Sequence, residues 1–315
     1  MRLTLDQMRI FVAVAEHEHV TRAAKSLNLA QSAASTAVAA LETRYRTKLF
    51  HRVGRGIALT EAGRVFLTEA RAVLARADAA EQALAELGGL KRGTLHVQAS
   101  QTIAGYWLPR HLASFRRAHP DIDVRLSIGN TAQVAASVRE GMADLGFVEG
   151  VVDDAQISAE PVAGDSMVLV VGPEHPWAAR RRIGAGEFSG SDWILREKGS
   201  GTRSVFEAAL RKSGIDPAGL RVAMELPSND AVRAAVEAGM GATAISVSVV
   251  APSIEAGLLH RVGFALPDRA YYVLRHRERY QSHAAEALMA LIHGTQNAHG
   301  RPSRRGRHGE ARHRQ

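Results

Sequence analysis

Two sets of small polar residues stand out by type and spacing. Gln31, Ser32, Ser35 and Thr36 occupy one side of a helical repeat whose other side carries Ala34, Val38 and Leu41, and Arg52 and Arg55 follow at a Gly54-Arg55-Gly56 turn. An exposed amide and hydroxyls on a helix, next to arginines at a hairpin tip, suit hydrogen bonds to base edges and ion pairs with phosphate. The second set is Ser100, Thr102, Asn130, Thr131, Ser200, Gly201 and Thr202. These residues sit where an apolar run ends and an amphipathic helix begins, so free N–H groups, the positive helix end and hydroxyls converge there without bulky side chains. That is chemistry for holding a small anion. The plain alternatives are a solvated helix face for the first set and helix caps for the second.

The elements that must position these groups can be read from periodicity. Leu5, Met8, Phe11, Val12 and Ala15 recur at helical spacing, a short helix carries Ala23, Ala24 and Leu27, and the Asn28-Leu29-Ala30 break precedes the third helix. Leu49–Val53 and Ile57–Leu59 then read as a small hairpin, giving a tri-helical unit with a basic wing, in which the third helix faces DNA. Thr60 caps a helix that runs to Gly88-Gly89. Along it Phe66, Ala70, Val73, Ala77, Ala80, Leu84 and Leu87 alternate spacings of four and three, the seam of a coiled coil, so Phe66, Val73, Leu84 and Leu87 are assigned to dimerisation. From Gly93 the texture becomes α/β: strands at Thr94–Ala99, Asp123–Ile128 and Asp144–Val148 separated by helices to about Ala118 and Glu140. A second lobe carries strands at Met167–Val171, Trp193–Arg196 and Thr243–Val247 and helices near Val205–Lys212 and Ala231–Ala238. Tyr271–Arg275 and a helix around Ala284–His293 return to the first lobe. The expected domains are 1–60, 61–90, 91–295 (lobe I about 91–163 and 268–295, lobe II about 164–267) and a basic, disordered tail 296–315.

Charge is uneven along the 315 residues, whose formal net value is +8. Residues 1–60 hold nine Lys/Arg against four acids, residues 297–315 hold six Arg against Glu310, and the remainder is slightly acidic. The basic ends are therefore the candidates for nucleic acid. Cysteine is absent, which excludes disulfides and thiolate chemistry, and His17 and His19 flank Glu18 without forming H-E-x-x-H, so no metal and no cofactor are expected. The chain lacks a phosphate-loop motif, and Gly164-Asp165-Ser166-Met167-Val168 fails the G-x-S-x-G pattern at its last position, which argues against an enzyme. The start MRLTLDQMRIF has no secretion-signal core and no run of 18 apolar residues follows, so a cytoplasmic protein without membrane contact is expected. An exported solute-binding protein is disfavoured on the same ground.

The stretch Leu5 to Gly63 resembles the DNA-binding domain of LysR-type transcriptional regulators, through F-x-x-V-A-E, T-R-A-A, A-L-E, L-F-x-R and L-T-x-A-G. The resemblance covers about residues 1–295. It implies an α/β protein with an N-terminal all-α winged helix-turn-helix, a coiled-coil linker helix and a two-lobed C-terminal domain similar to type II periplasmic binding proteins. It further implies promoter DNA and a small-molecule effector as ligands, dimers joined into a tetramer that bends DNA, and RNA polymerase as a candidate partner. Two departures stand out: Glu18-His19 and Ala30 replace the family's Gly-Ser pair and Ser, leaving Thr21 or Asn28 as substitute caps, and Thr36 stands where an Arg is frequent. Further on, ASQTIAGYWLP (99–109), GNT (129–131) and EKGSGTR (197–203) are similar to a subgroup that includes regulators of carbon fixation and sulfur assimilation. This similarity implies that the second residue set, with Glu149 as a further contact, borders the cleft between lobes. The effector is expected to be a small oxyanion or carboxylate held without a dedicated cationic pocket, the orientation of Arg203 being open.

Overall fold

The computed structural model describes residues 3–54, 56–87, 93–150 and 152–299. Arg55 and residues 300–315 of the basic tail lie outside the described residues, as does the side chain of Leu87.

Helix α1 (Leu5–His17) begins with a reciprocal cap: the Thr4 hydroxyl accepts from the Gln7 N–H at 3.2 Å, and the Gln7 amide oxygen accepts from the Thr4 N–H at 3.3 Å. Helices α2 (Val20–Ser26) and α3 (Gln31–Tyr45) follow, and neither has a side-chain cap at its N-cap residue, His19 or Ala30. Thr21 and Asn28 do not substitute. Strands β1 (Phe50–Val53) and β2 (Gly56–Leu59) form the antiparallel hairpin, with Phe50 opposite Leu59. Thr60 then starts α4 (Glu61–Leu87), accepting from the Gly63 N–H at 3.0 Å and donating to the Lys48 carbonyl at 2.7 Å. Gly63 is required here, because a Cβ would lie 2.1 Å from the Leu49 carbonyl oxygen.

Phe11, fully buried, organises this unit, with the rings of Phe50 and Phe66 centred 5.4 and 4.6 Å away. Phe66 and Ala70 thus belong to the intrachain core, which corrects the assignment of Phe66 to a dimer seam: the first turns of α4 cover α1 instead. The seam that faces outward starts at Val73 and includes Leu84, which is 72% exposed.

The remaining chain builds β3 (Gly93–Ala99), a π-helical turn at Ile103–Trp107 leading into α5 (Leu108–Ala118), β4 (Ile122–Ile128), α6 (Thr131–Glu140) and β5 (Leu145–Glu149). The long β6 (Ile157–Val171) then leads to β7 (Asp192–Arg196), α7 (Gly201–Lys212), β8 (Arg221–Leu226) and α8 (Asn229–Glu237). Last come β9 (Ala242–Ser246), α9 (Val247–Glu255), β10 (His260–Val262), β11 (Asp268–His276) and α10 (His283–His299). The strands follow the order β4-β3-β5-β11-β6-β9-β7-β8, with β10 also on β6. Both faces are covered, so β5 and β9 are buried at every position, as continuous apolar runs in such sheets are.

Two lobes result because β6 changes partners along its length. Its first part, Ile157 to Ser166, pairs with β11, whereas Met167 to Val171 pair with β9. Each lobe has its own pair of apolar clusters, one around Phe115, Phe147 and Leu288 with another around Val134, and one around Trp193 and Phe206 with another around Val232 and Val250. Only the end of β6 was expected from sequence, and β8 and α9 were not anticipated: β8 is an exposed edge strand without alternation, and α9 contains Pro252.

Candidate nucleic-acid interface and ligand cleft

On α3, Ala34 and Leu41 are buried while Gln31, Ser32, Ser35 and Thr36 are all exposed. None of these four side chains is hydrogen-bonded within the described residues, so amide and hydroxyls are free for an external partner. Arg52 is exposed on β1, opposite Ile57. The geometry linking helix to wing is set by Glu42, a residue sequence reasoning registered only as part of a motif. Its carboxylate, 12% exposed, accepts from the Leu49 and Phe50 N–H groups at 2.8 and 3.2 Å and from Lys48 Nζ at 2.7 Å. Burial raises its pKa, but Lys48 and the two N–H groups outweigh that, and the carboxyl sits below its ordinary value.

The second residue set does converge between the lobes. Ser100 and Thr102 follow β3, Asn130 and Thr131 open α6, Glu149 ends β5, and Ser200, Gly201 and Thr202 open α7. Ser100, Thr102, Glu149, Ser200 and Thr202 are buried. Their packing is close: a Cβ on Gly201 would come within 2.5 Å of the Glu149 carbonyl oxygen and 2.7 Å of Thr131 Oγ1. Asn130 caps α6 through the Gln133 N–H at 3.0 Å. Its Nδ2 also donates to Glu197 Oε1 at 3.4 Å, across the lobes.

Sequence reasoning missed the charges that hold this cleft. Arg269 stands opposite Asp165 on the two strands that cross between lobes, and both side chains are almost fully buried. Its Nη2 donates to Asp165 Oδ2 at 2.7 Å, its Nε to the same oxygen at 3.1 Å, and its Nη1 to Thr202 Oγ1 at 3.1 Å. Glu149 Oε1 lies 3.7 Å from Arg269 Nη2. Arg269 is thus a buried cation at the cleft whose charge Asp165 already neutralises. Burial, and then the Asp165 charge, keep the neighbouring Tyr271 hydroxyl protonated.

A second chain of bonds closes the cleft. Arg196 donates to both oxygens of Glu197 at 2.8 and 2.9 Å and to Asn229 Oδ1 at 2.5 Å, and Asn229 Nδ2 donates to Thr102 Oγ1 at 3.0 Å. Desolvation raises the Glu197 pKa, yet Arg196 outweighs it and the net shift is downward. Arg203 turns away from the cleft, to Glu207 at 2.7 Å and to Glu225. Thr102 and Thr202 therefore accept within the chain, keeping their O–H protons available to donate. Two buried atoms find no hydrogen-bond partner there: Ser100 Oγ and Glu149 Oε1.

Among the described residues no helix is long and apolar enough to cross a membrane. Comparison with known proteins covers nearly the whole chain. Residues 5–64 match the family described as bacterial regulatory helix-turn-helix protein, lysR family, and residues 88–296 match the LysR substrate binding domain. A probable RuBisCO transcriptional regulator of Cyanidioschyzon merolae is 35% identical over 287 residues, covering 90% of this chain and 95% of that protein. Among solved structures, full-length CbnR complexed with its target DNA shares the fold with a TM-score of 0.67 at 22% identity, over 93% of this chain and all of that one. The regulatory domain of Synechocystis CcmR, in complex with 2-PG, matches with a TM-score of 0.59 at 26% identity, over 65% of this chain and 99% of that domain. These relatives are regulators rather than enzymes. The chain belongs to the LysR family of transcriptional regulators, binding DNA through its N-terminal domain and a small-molecule effector through its two-lobed domain.

Proposed function

We propose that this regulator senses a compact oxyanion that also carries a hydrogen-bond donor, and that the ligand sits between Ser100, Thr102, Thr131, Glu149, Ser200, Gly201 and Thr202. The observation that carries this reading is a pair of buried atoms that accept or donate no hydrogen bond, Ser100 Oγ and Glu149 Oε1. Leaving such groups unpaired costs about 1–3 kcal/mol each, so a ligand that satisfies both gains affinity from the protein's own deficit. The start of α7 and the hydroxyls hold the oxyanion, and Glu149, which Arg269 reaches at 3.7 Å, accepts from the donor. The regulatory domain of Synechocystis CcmR, which has the same fold, is itself bound to the small molecule 2-PG.

On DNA, Gln31, Ser32, Ser35 and Thr36 read the major groove while Arg52 and Arg55 contact the backbone. The protein acts in the cytoplasm as a tetramer with RNA polymerase as a candidate partner. The exposed Val73 and Leu84 pair two α4 helices, and the sheet edges support the second contact: Ile128 on β4 is 59% exposed, and Val222 and Met224 are exposed on β8. A two-fold axis placing β4 of one copy beside β8 of another would cover both edges at once.

The test is calorimetry with small carboxylates and phosphorylated acids, 2-PG included, read alongside mobility shifts on promoter DNA. A ligand that alters the DNA shift should bind at least tenfold more weakly to Ser100→Ala/Glu149→Gln protein. Undiminished affinity in that variant would place the effector elsewhere.

A further inference from the structure

A cavity of about 250 Å³ lies where α4 meets lobe I, away from the cleft. One wall is Ala75, Arg76, Ala79, Ala80 and Ala83 of α4. The other is the turn after α6, from Gly141 to Asp144, and the segment after β11, with Arg275, His276 and Arg279. Four positive or potentially positive groups, Arg76, Arg275, His276 and Arg279, line this space, against one lining acid, Asp144. Arg279 is anchored at one side by donating to the Val138 and Arg139 carbonyls at 3.0 and 2.7 Å, and Gly141 makes room for it, since a Cβ there would overlap the guanidinium. Arg275 is already paired with Glu160. Arg76 makes no hydrogen bond or ion pair among the described residues. Burial and then the Arg76 charge push the Arg279 pKa below its ordinary value against Glu140, and the His276 pKa is lowered by burial and then by Arg279 and Arg76, against Glu278 and Asp154. The acid in the lining, Asp144, accepts from the His96 N–H at 2.8 Å.

Like charges gathered around a cavity raise the free energy of the empty state and lower that of a state holding an anion. Guanidinium groups from two different elements also suit the bidentate geometry of tetrahedral phosphate. We propose that this cavity is a second ligand site, taking a small phosphorylated metabolite between Arg76 of the linker helix and Arg279 of lobe I. Because its two walls belong to different domains, the ligand binds tightly only when α4 lies against lobe I, and so favours that arrangement over others. The site also has a physical route to the cleft: α6 begins at the cleft with Thr131 and ends here at Gly141, and β11 begins there with Arg269 and ends here at His276.

Inorganic pyrophosphate is the probe, titrated calorimetrically into the full chain at moderate salt. Arg76 is exposed, so Arg76→Gln leaves the fold intact, and Ala79→Trp fills the cavity without changing charge. Pyrophosphate should bind about tenfold more weakly to Arg76→Gln than to wild type and should lose this site in Ala79→Trp, while Thr202→Ala, a change in the effector cleft, should leave the Arg76-dependent binding in place. The proposal is overturned if wild type shows no binding at millimolar concentration, if Arg76→Gln and Ala79→Trp bind like wild type, or if Thr202→Ala alone abolishes binding. The last outcome would assign the anion to the cleft, and unaltered binding in both cavity variants would assign it to the basic DNA-binding surface.

Discussion

The DNA-facing surface and the cleft between the lobes are built on opposite principles. On α3 the functional side chains are exposed, unengaged within the chain, and carried by a helix that has no side-chain cap. In the cleft nearly every polar group is buried and already bonded, through Arg269, Asp165, Arg196, Glu197 and Asn229. A surface that must adapt to a partner supplied from outside keeps its hydrogen bonds in reserve. A hinge that must hold two lobes at a defined angle makes them internally, leaving only the atoms its ligand will complete. The contrast predicts that substitutions of similar chemistry will have very different costs in the two regions.

The largest effect is expected at Arg269. Replacing it with Met leaves Asp165 and Glu149 buried without their cation, which typically costs about 3–5 kcal/mol, of order 10² to 10⁴ in the folded-to-unfolded ratio. Gln31→Ala should stay within about 0.5 kcal/mol, because nothing in the chain depends on that amide. Chemical denaturation followed by circular dichroism reads both. A loss below about 1 kcal/mol for Arg269→Met would mean that the crossing strands are held by packing alone.

Glu42 is the exception that sharpens the comparison, a partly buried, fully engaged carboxylate within the DNA-binding domain. Glu42→Gln should cost about 2 kcal/mol at neutral pH, the usual worth of charge-assisted bonds to N–H groups and an ammonium. Its folded-state pKa is lowered, so the stabilisation is complete above the unfolded value of about 4.3 and is lost as pH falls through the lower folded value. The stability gap between wild type and Glu42→Gln should therefore narrow below about pH 4. Denaturation curves at pH 7 and pH 3.5 would show it, and a gap independent of pH would mean that shape rather than charge fixes the wing.

These two residues also mark how far the sequence could be read. The tri-helical unit, hairpin and linker helix were legible because each is encoded locally: Leu5, Met8 and Phe11 repeat at helical spacing, and Gly54 and Gly56 bracket a turn. The three strand-to-helix junctions of the cleft were legible for the same reason, since Ser100, Asn130 and Ser200 each follow an apolar run. The Arg269–Asp165 pair was not, because the two residues are separated by more than a hundred positions and meet only after β6 and β11 cross between lobes. Glu42 was visible as part of a motif, but its role depends on N–H groups that a hairpin turns toward it. Phe66 was misassigned because a coiled-coil seam and a core-facing stripe share the same spacing, and only the position of Phe11 distinguishes them.

The smallest expected effect concerns the helix starts, where the comparison can be tested within one domain. Helix α1 supports the core and has a reciprocal Thr4–Gln7 cap, whereas α3 meets the partner and begins at Ala30 without one. If the missing cap is a real deficit, Ala30→Ser should stabilise the domain by about 1 kcal/mol, since a serine hydroxyl there can accept from the N–H of Ser32 or Ala33. Thr4→Ala should destabilise by a similar amount. The two changes act on single turns, so amide hydrogen exchange resolves them better than global melting: protection should rise in the first turn of α3 for Ala30→Ser and fall in the first turn of α1 for Thr4→Ala. Equal protection of Ser32 and Ala33 in wild type and Ala30→Ser would show that the 3.1 Å bond from the Ala33 N–H to the Ala30 carbonyl already closes this end, and that α3 begins no more loosely than α1.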